Sequence, residues 1–407
     1  MRQPKLRRAI GLMSGTSLDG IDVALVDTDG DTVVERGPAR VYAYDAAFRD
    51  QLAAALETAK TIRQRDARPG DLAALEVALT HRHGEAVTRF LKECGIDRAS
   101  VDVVGFHGQT VLHRPAEALT VQIGRGDLLV RQLGLPVVHD MRAADMMAGG
   151  QGAPLVPAYH AALAGSLPAD RRAYPVVFVN IGGISNVTWL DGETDPVAFD
   201  SGPGNALLDQ WLQREAGIPY DQNGAVASEG GLIEGMAERY LASDFFARPA
   251  PKSLDRFDFP VPPPGSGTLE DVARTLCFVS AAAILKSAEH FPAKPKLWII
   301  CGGGRHHPAI MADLKAGAGS DAAVVSAEEA GFDGDAMEAE AWGYLAVRSL
   351  DRRPLTWPTT TGCREAVTGG VLSLPDDARQ AEAGTDRWEA SRCRVLRPSA
   401  GASAAGR

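Results

Sequence analysis

Residues 9–27 read AIGLMSGTSLDGIDVALVD: an apolar run, a small polar turn and a second apolar run. In the second run Ile21, Val23 and Leu25 alternate with Asp22, Ala24 and Val26, a period of two that predicts a β-strand. The stretch is therefore strand–turn–strand, unlike the strand–turn–helix of a dinucleotide or P-loop site. The same grammar returns at 176–190, VVFVNIGGISNVTWL, where a strand breaks into Gly, Ser and Asn and resumes. Two such units about 170 residues apart predict an α/β chain of duplicated architecture with a cleft between its halves.

Helical spacing covers 46–66, 71–93, 268–290 and 336–350, and a short helix is expected from Ala206 to Trp211. Further strands are expected at 101–106, 196–199 and 297–300, and 260–266 (PVPPPGS) is a surface loop. From Asp140 to Pro157 the chain turns rich in Gly, Ala, Pro and Met. This stretch is expected to cross between the lobes and to supply part of a hinge, with Met141, Met146 and Met147 packing there.

The 407 residues carry 42 Lys and Arg against 52 Asp and Glu, a net charge of −10, which argues against nucleic-acid or acidic-membrane partners. The five cysteines are scattered without a C-x-x-C pair, the basic N-terminus lacks a signal-peptide apolar core, and no 18-residue apolar stretch occurs. A cytoplasmic protein is expected.

There is no Gly-Lys dipeptide, H-E-x-x-H, G-x-S-x-G or G-x-G-x-x-G. What remains are three Gly-rich turns, each leaving the end of an expected strand: Ser14–Gly20, Gly182–Asn186 and Gly302–Gly304. Glycine lets successive N–H groups converge on an anion, and Ser14, Thr16 and Ser17 add small hydroxyl donors. Asp19 and Asp22 would repel phosphate unless a divalent cation intervened, so the turn suits a magnesium-nucleotide. The plain alternative is three tight hairpin turns. A fourth turn, Phe199–Asn205, sets Asp200 at a strand end, facing a cleft or capping the helix that follows. His306-His307 lacks a third ligand in view, so a metal site there is not expected.

Six motifs occur in order: GTSLDG (15–20), HGQT (107–110), GGQGAPLVP (149–157), NIGG (180–183), DSGPGN (200–205) and CGGG (301–304). With Pro251-Lys252-Ser253 and the GDAMEA run at 334–339, the chain resembles the anhydro-N-acetylmuramic acid kinases from about residue 9 to 373. Two positions depart from the family pattern: Met141-Arg142-Ala143-Ala144 keeps a single arginine, and His306-His307-Pro308 stands where an Asn is usual.

The resemblance implies a two-lobed actin-like ATPase fold, built from duplicated ribonuclease-H-like lobes with an interlobe cleft that closes on substrate. It implies that ATP, water and 1,6-anhydro-N-acetylmuramate give N-acetylmuramate 6-phosphate and ADP, returning cell-wall sugar to amino-sugar metabolism. Carried over by position, Gly15, Thr16, Ser17, Leu18, Asp19, Gly20, Ile21 and Asp22 would bind ATP, with Gly182, Gly183, Gly302 and Gly303 completing its site. Mg²⁺ would reach Asp19 or Asp22 through the nucleotide. Asp200 would be the general base, and His107, Gln109, Arg142 and Glu338 would contact the sugar. Arg142 could pair with the lactyl carboxylate of the sugar, or form an ordinary salt bridge. A homodimer is also implied.

The expected division is an N-terminal lobe of 1–140 plus about 358–375, with the phosphate loop; a C-terminal lobe of 141–357, with Asp200 and an adenosine loop; and a flexible tail, 376–407. Two readings of other classes fit the same fold: a nucleotide-gated ATPase of the actin or chaperone kind, and a polyphosphate or nucleotide phosphohydrolase, which the charge of −10 disfavours.

Overall fold

The computed structural model describes residues 5–375, except Thr16 and 255–257, together with residues 394 and 395. Strands β1 (Arg7–Met13) and β2 (Gly20–Thr28) form the antiparallel pair expected from residues 9–27, and β3 (Val34–Ala43), which was not expected, extends it to a meander. Helix α1 (Ala46–Ala59) starts where the Asp45 carboxylate accepts from the Phe48 N–H at 2.8 Å, and stops seven residues short of the expected end. After α2 (Leu72–Glu93), β4 (Val103–Phe106) joins β1 in parallel. Strands β5 (Gln109–Arg114) and β6 (Leu119–Ile123) form a separate ribbon. Helix α3 (Gly126–Leu133) leads to β7 (Val137–His139), parallel to β4, and α4 (Ala143–Met147) and α5 (Pro157–Ser166) follow.

The next stretch repeats the plan. Strands β8 (Val176–Ile181), β9 (Ile184–Leu190) and β10 (Val197–Pro203) form an antiparallel meander. Helices α6 (Ala206–Ala216), α7 (Glu234–Leu241) and α8 (Leu269–Lys286) come next. Strand β11 (Leu297–Cys301) is parallel to β8, and after α9 (Pro308–Gly317), β12 (Ala323–Ser326) is parallel to β11. The chain then returns to the first sheet through α10 (Met337–Leu350), β13 (Val371–Ser373), antiparallel to β7, and β14 (Arg394–Val395), paired with β13.

Both sheets share one order, β3-β2-β1-β4-β7 in the first and β10-β9-β8-β11-β12 in the second, each an antiparallel three followed by two parallel strands. This is the ribonuclease-H-like arrangement, present twice, and it defines the actin-like ATPase fold class. The two compact units are Met1–Ser166 with Ala336–Arg407, and Leu167–Asp335. The boundaries expected at 140/141 and 357/358 therefore move to 166/167 and 335/336. Residues 141–166 and 336–357 belong to the first unit because α10 packs across β1, β2 and β4. The Asp140–Pro157 stretch lies wholly inside that unit, so it does not cross between units. The tail 376–407 lies outside the described residues, apart from β14.

The backbone of α10 rests directly on the first sheet. Gly11 and Gly105 are register partners on β1 and β4. A Cβ on Gly11 would overlap the carbonyl oxygen of Ala339, and one on Gly105 that of Trp342. Across the sheet, Ile10, Leu12, Ile21, Val23 and Leu25 join Phe48, Leu52, Leu79 and Phe90 of α1 and α2 in one core. Both faces of β2 are thus covered: Ala24 and Val26 are as buried as Val23, and only Asp22 and Asp27 keep the half-polar alternation. The second unit builds its own core from Val177, Val179, Trp189, Trp211 and α8.

Candidate active site

In the first unit β1, β4 and β7 run parallel, so the loops leaving their C-terminal ends share one edge. Ser14 and Gly15 leave β1, His107 leaves β4, and Arg142 follows β7. Because α10 lies on Gly11 and Gly105, its first two turns bring Glu338 and Trp342 to the same edge. The ring centroids of His107 and Trp342 are 4.6 Å apart, and the Arg142 guanidinium lies 5.4 Å from the Trp342 centroid.

His107 is buried, and its Nδ1 is 2.6 Å from the Gly108 carbonyl oxygen. A carbonyl only accepts, so Nδ1 carries the proton and Nε2 offers its lone pair to Arg142 Nη2 at 3.3 Å. Burial, then the Arg142 charge, holds His107 well below its ordinary pKa. It is neutral at pH 7 and cannot compete with Arg142 for an anion. Arg142 Nη1 donates to the Gly152 carbonyl at 2.8 Å, while its buried Nε has no hydrogen-bond partner. Burial lowers Arg142 to about 10, against the pull of Glu338 and Asp145, and leaves it a cation.

The β1–β2 loop is braced from below. Gln109 Nε2 donates to the Gly15 carbonyl at 3.0 Å, and Ser14 Oγ donates to the Gly108 carbonyl at 2.9 Å. Leu18 turns the chain with φ +58°, its N–H on the Gly15 carbonyl at 3.3 Å. Ser17 Oγ donates to Asp19 Oδ1 at 2.8 Å. Asp19 is exposed and Asp22 half-buried. A Cβ on Gly15 would meet nothing nearer than Ser17 Oγ at 3.5 Å, so the space above this residue is open. Thr16 lies outside the described residues.

In the second unit three turns pack on one another at the ends of β8, β10 and β11. The N–H groups of Gly204 and Ala206 donate to the Gly183 carbonyl, and that of Asn205 to the Gly182 carbonyl. Gly302, at φ +72°, sits so close to the Asn180 side chain that a Cβ would overlap it. Gly182, Gly183 and Gly303, by contrast, are uncrowded: a Cβ there would meet neighbours only at ordinary contact distance, 3.5 Å from Ile184 and from Ala206 and 4.0 Å from Asn205. Beside them a cleft of about 540 Å³ is lined by Asn205, Asp209, Tyr220, Gly303, His306 and His307 among others. His306 is exposed, while His307 is buried, with Nε2 3.3 Å from Asp221 Oδ2 and 3.5 Å from Cys277 Sγ.

Asp200 does not lie in a turn. β10 runs on through it to Pro203, with an irregularity of register between Asp200 and Gly202. Nor does Asp200 cap α6, whose N-cap is Asn205. The carboxylate Oδ2 instead accepts the Leu254 N–H at 2.8 Å, and the Asp200 N–H donates to the Lys252 carbonyl at 2.9 Å. Burial raises its pKa to about 6, opposed only in part by the Leu254 bond.

His107, Arg142 and Glu338 thus come together as a group, whereas Gln109 is turned to the Gly15 carbonyl. Of the acidic pair on α10, Glu338 is exposed and Glu340 is buried, accepting Tyr159 Oη–H at 2.7 Å. Met141 and Met146 are buried, but Met147 is 81% exposed, so it packs nothing. Sequence reasoning missed Trp342, although its i+4 spacing from Glu338 placed both on one helix face. It also missed the hold of 252–254 on Asp200, for which no local pattern exists.

A duplicated ribonuclease-H-like sheet with glycine turns at its strand ends defines a nucleotide-using enzyme of the actin-like ATPase class. The profile of the anhydro-N-acetylmuramic acid kinases matches residues 7–374, and the chain belongs to that family. It is 56% identical over 370 residues to the anhydro-N-acetylmuramic acid kinase of Rhizobium etli, spanning 91% of this chain and 99% of the relative. The enzyme of that name from Brucella canis is 56% identical over 373 residues (91% and 100%), and that from Agrobacterium fabrum 54% over 369 residues (90% and 99%).

Proposed function

We propose that the protein is an ATP-dependent kinase that opens 1,6-anhydro-N-acetylmuramate with water and phosphorylates its C6 oxygen, in the recycling of cell-wall sugar. The observation that carries this reading is Asp200. It is a half-buried carboxylate on a sheet edge, held by backbone on one oxygen, with a pKa raised to about 6, so it is ionised at pH 7 yet basic enough to take a proton. Family membership selects this reaction over a nucleotide-gated ATPase or a phosphohydrolase.

Asp200 takes a proton from water as the water oxygen bonds to the anomeric carbon. The bond from that carbon to the bridging oxygen breaks, and the bridging oxygen stays on C6. Its electron pair attacks the γ-phosphorus, the bond to the β-phosphate oxygen breaks, and ADP leaves. Arg142, a cation that donates to the neutral His107 ring, is the partner for the lactyl carboxylate, and Trp342 offers an apolar wall to the sugar. The uncrowded Gly15, Gly182, Gly183 and Gly303 let phosphates approach the backbone, and the cleft beside His306 suits the nucleobase. Gly302 acts there by holding its own turn against Asn180.

Among the described residues no group of three or more His, Cys, Asp or Glu could hold a metal ion. Magnesium would ride on the nucleotide phosphates, steadied by Asp19 or Asp22, which fits its habit of taking one or two carboxylates. It would neutralise phosphate charge. Among the described residues no helix is long and apolar enough to cross a membrane. A cytoplasmic homodimer completes the reading. The test is ADP formation by the purified protein with Mg-ATP, with and without the anhydro sugar: strict sugar dependence supports a kinase, and sugar-independent turnover supports one of the other two readings.

A further inference from the structure

The second unit contains a buried cation whose hydrogen-bond acceptors, among the described residues, are two backbone carbonyls. Lys252 is 7% exposed. Its Nζ donates to the Phe245 carbonyl at 3.1 Å and to the Phe246 carbonyl at 3.0 Å, while His290 Nε2, 3.0 Å from Nζ, is 2.7 Å from the Phe246 carbonyl and donates there. The faces of Phe245 and Phe199 stand 4.8 and 5.7 Å away. Burying an ammonium that has no acidic hydrogen-bond partner among the described residues is costly, and an apolar side chain of similar length would avoid the cost. Lysine here therefore asks for a use.

The use is next to it in the chain. β10 is the edge strand of its sheet, and segment 252–254 lies along its open side. That segment grips Asp200 twice, through the Lys252 carbonyl on the Asp200 N–H and the Leu254 N–H on Oδ2. The side chain of Lys252 ties the same segment to the 245–246 turn, whose Phe246 carbonyl also accepts from His290 Nε2 beyond α8. A further tie comes through Phe199, whose ring the ammonium faces and which precedes Asp200. Resting on the proposed role of Asp200, we propose that Lys252 is a positioning residue for it: the ammonium, acting through its own backbone and that of Leu254, fixes the orientation of the Asp200 carboxylate. Lys252 does not touch the reacting atoms.

The charged groups acting on Lys252 are Arg248, Glu289 and Lys286. Among the described residues none contributes to the shift of Asp200, which arises from burial and the Leu254 bond. The link is thus mechanical, and its signature is specific. Lys252→Met keeps the length of the side chain and removes its donors. We expect kcat to fall 10- to 100-fold with the KM values for ATP and sugar within threefold. The acid limb of the kcat profile should move up from about 6, because a loosened Leu254 N–H no longer favours the ionised carboxylate. Hydrogen exchange of a peptide containing residues 252–254, measured without substrate, should quicken in the variant. That readout keeps its meaning even if the protein proves not to be a kinase. A folded Lys252→Met protein with wild-type exchange over 252–254, or with the acid limb unmoved, overturns the proposal. Should Lys252→Met not fold, Lys252→Gln, which keeps N–H donors on a shorter, uncharged side chain, must give the same signature at smaller amplitude; wild-type exchange and profile there overturn it equally.

Discussion

Asp200 is where burial and backbone set opposing demands on one carboxyl. In the unfolded chain it titrates near 3.8, and in the folded unit at about 6. Between those values the folded state binds the extra proton, so stability falls as pH rises through the window and stays lower above it, by about 3 kcal/mol for a shift of this size. Asp200→Asn keeps an acceptor for Leu254 N–H and carries no charge. We therefore expect its melting temperature at pH 8 to exceed wild type by several degrees, with the gap closing towards pH 4. The same change removes the base, so kcat should fall by about 10²–10⁴-fold while substrate binding persists. In the wild type the kcat profile should lose activity below pH 6, not below pH 4. An acid limb near 4 would place the essential base elsewhere. On the other unit, the Cβ of Gly15→Val makes no clash, with Ser17 Oγ at ordinary contact distance, so a variant that melts like wild type but shows a raised ATP KM would place the phosphates over that residue. Unchanged ATP kinetics would remove the β1–β2 loop from the nucleotide site.

At the scale of elements, α10 acts as a platform, because two glycines on adjacent strands let its backbone touch the sheet. Gly105→Ala forces helix and sheet apart, an overpacking that costs about 1–3 kcal/mol. The melting temperature should drop by a few degrees, and the sugar KM should rise more than the ATP KM, since Glu338 and Trp342 ride on the displaced helix. Equal effects on both constants would mean that α10 serves the fold alone. The two strand–turn–strand units were legible in the sequence because period two and small-residue turns are local signals, and both occur where 9–27 and 176–190 placed them; β3, the third strand of the first meander, was not read. The unit boundaries were not: whether 141–166 packs on the first sheet or the second depends on long-range contacts with α10 that leave no mark on the segment. Asp200 was legible as a strand-end acid but was set one element too late. The strand continues through Ser201-Gly202-Pro203, a sequence that reads as a turn when the neighbouring strand is unknown. Gln109 was legible only as part of a motif, and its amide serves the loop through Gly15.

For the whole molecule, the two units carry one sheet order twice, yet each brings a different set of groups. The first supplies a loop with room for an anion and a cation–aromatic cluster beside a neutral histidine. The second supplies the half-buried carboxylate and the uncrowded glycine turns. That division suits a reaction with two coupled events, ring opening by water and transfer of a phosphoryl group, better than simple hydrolysis of a nucleotide. The fate of the water oxygen separates these outcomes. A single turnover with ATP and the anhydro sugar in ¹⁸O-enriched water, stopped before the anomeric hydroxyl exchanges and read by mass spectrometry, should place the label on the anomeric carbon and none in the phosphate on C6. Label recovered in phosphate would mean that water attacks the nucleotide, and would contradict the account.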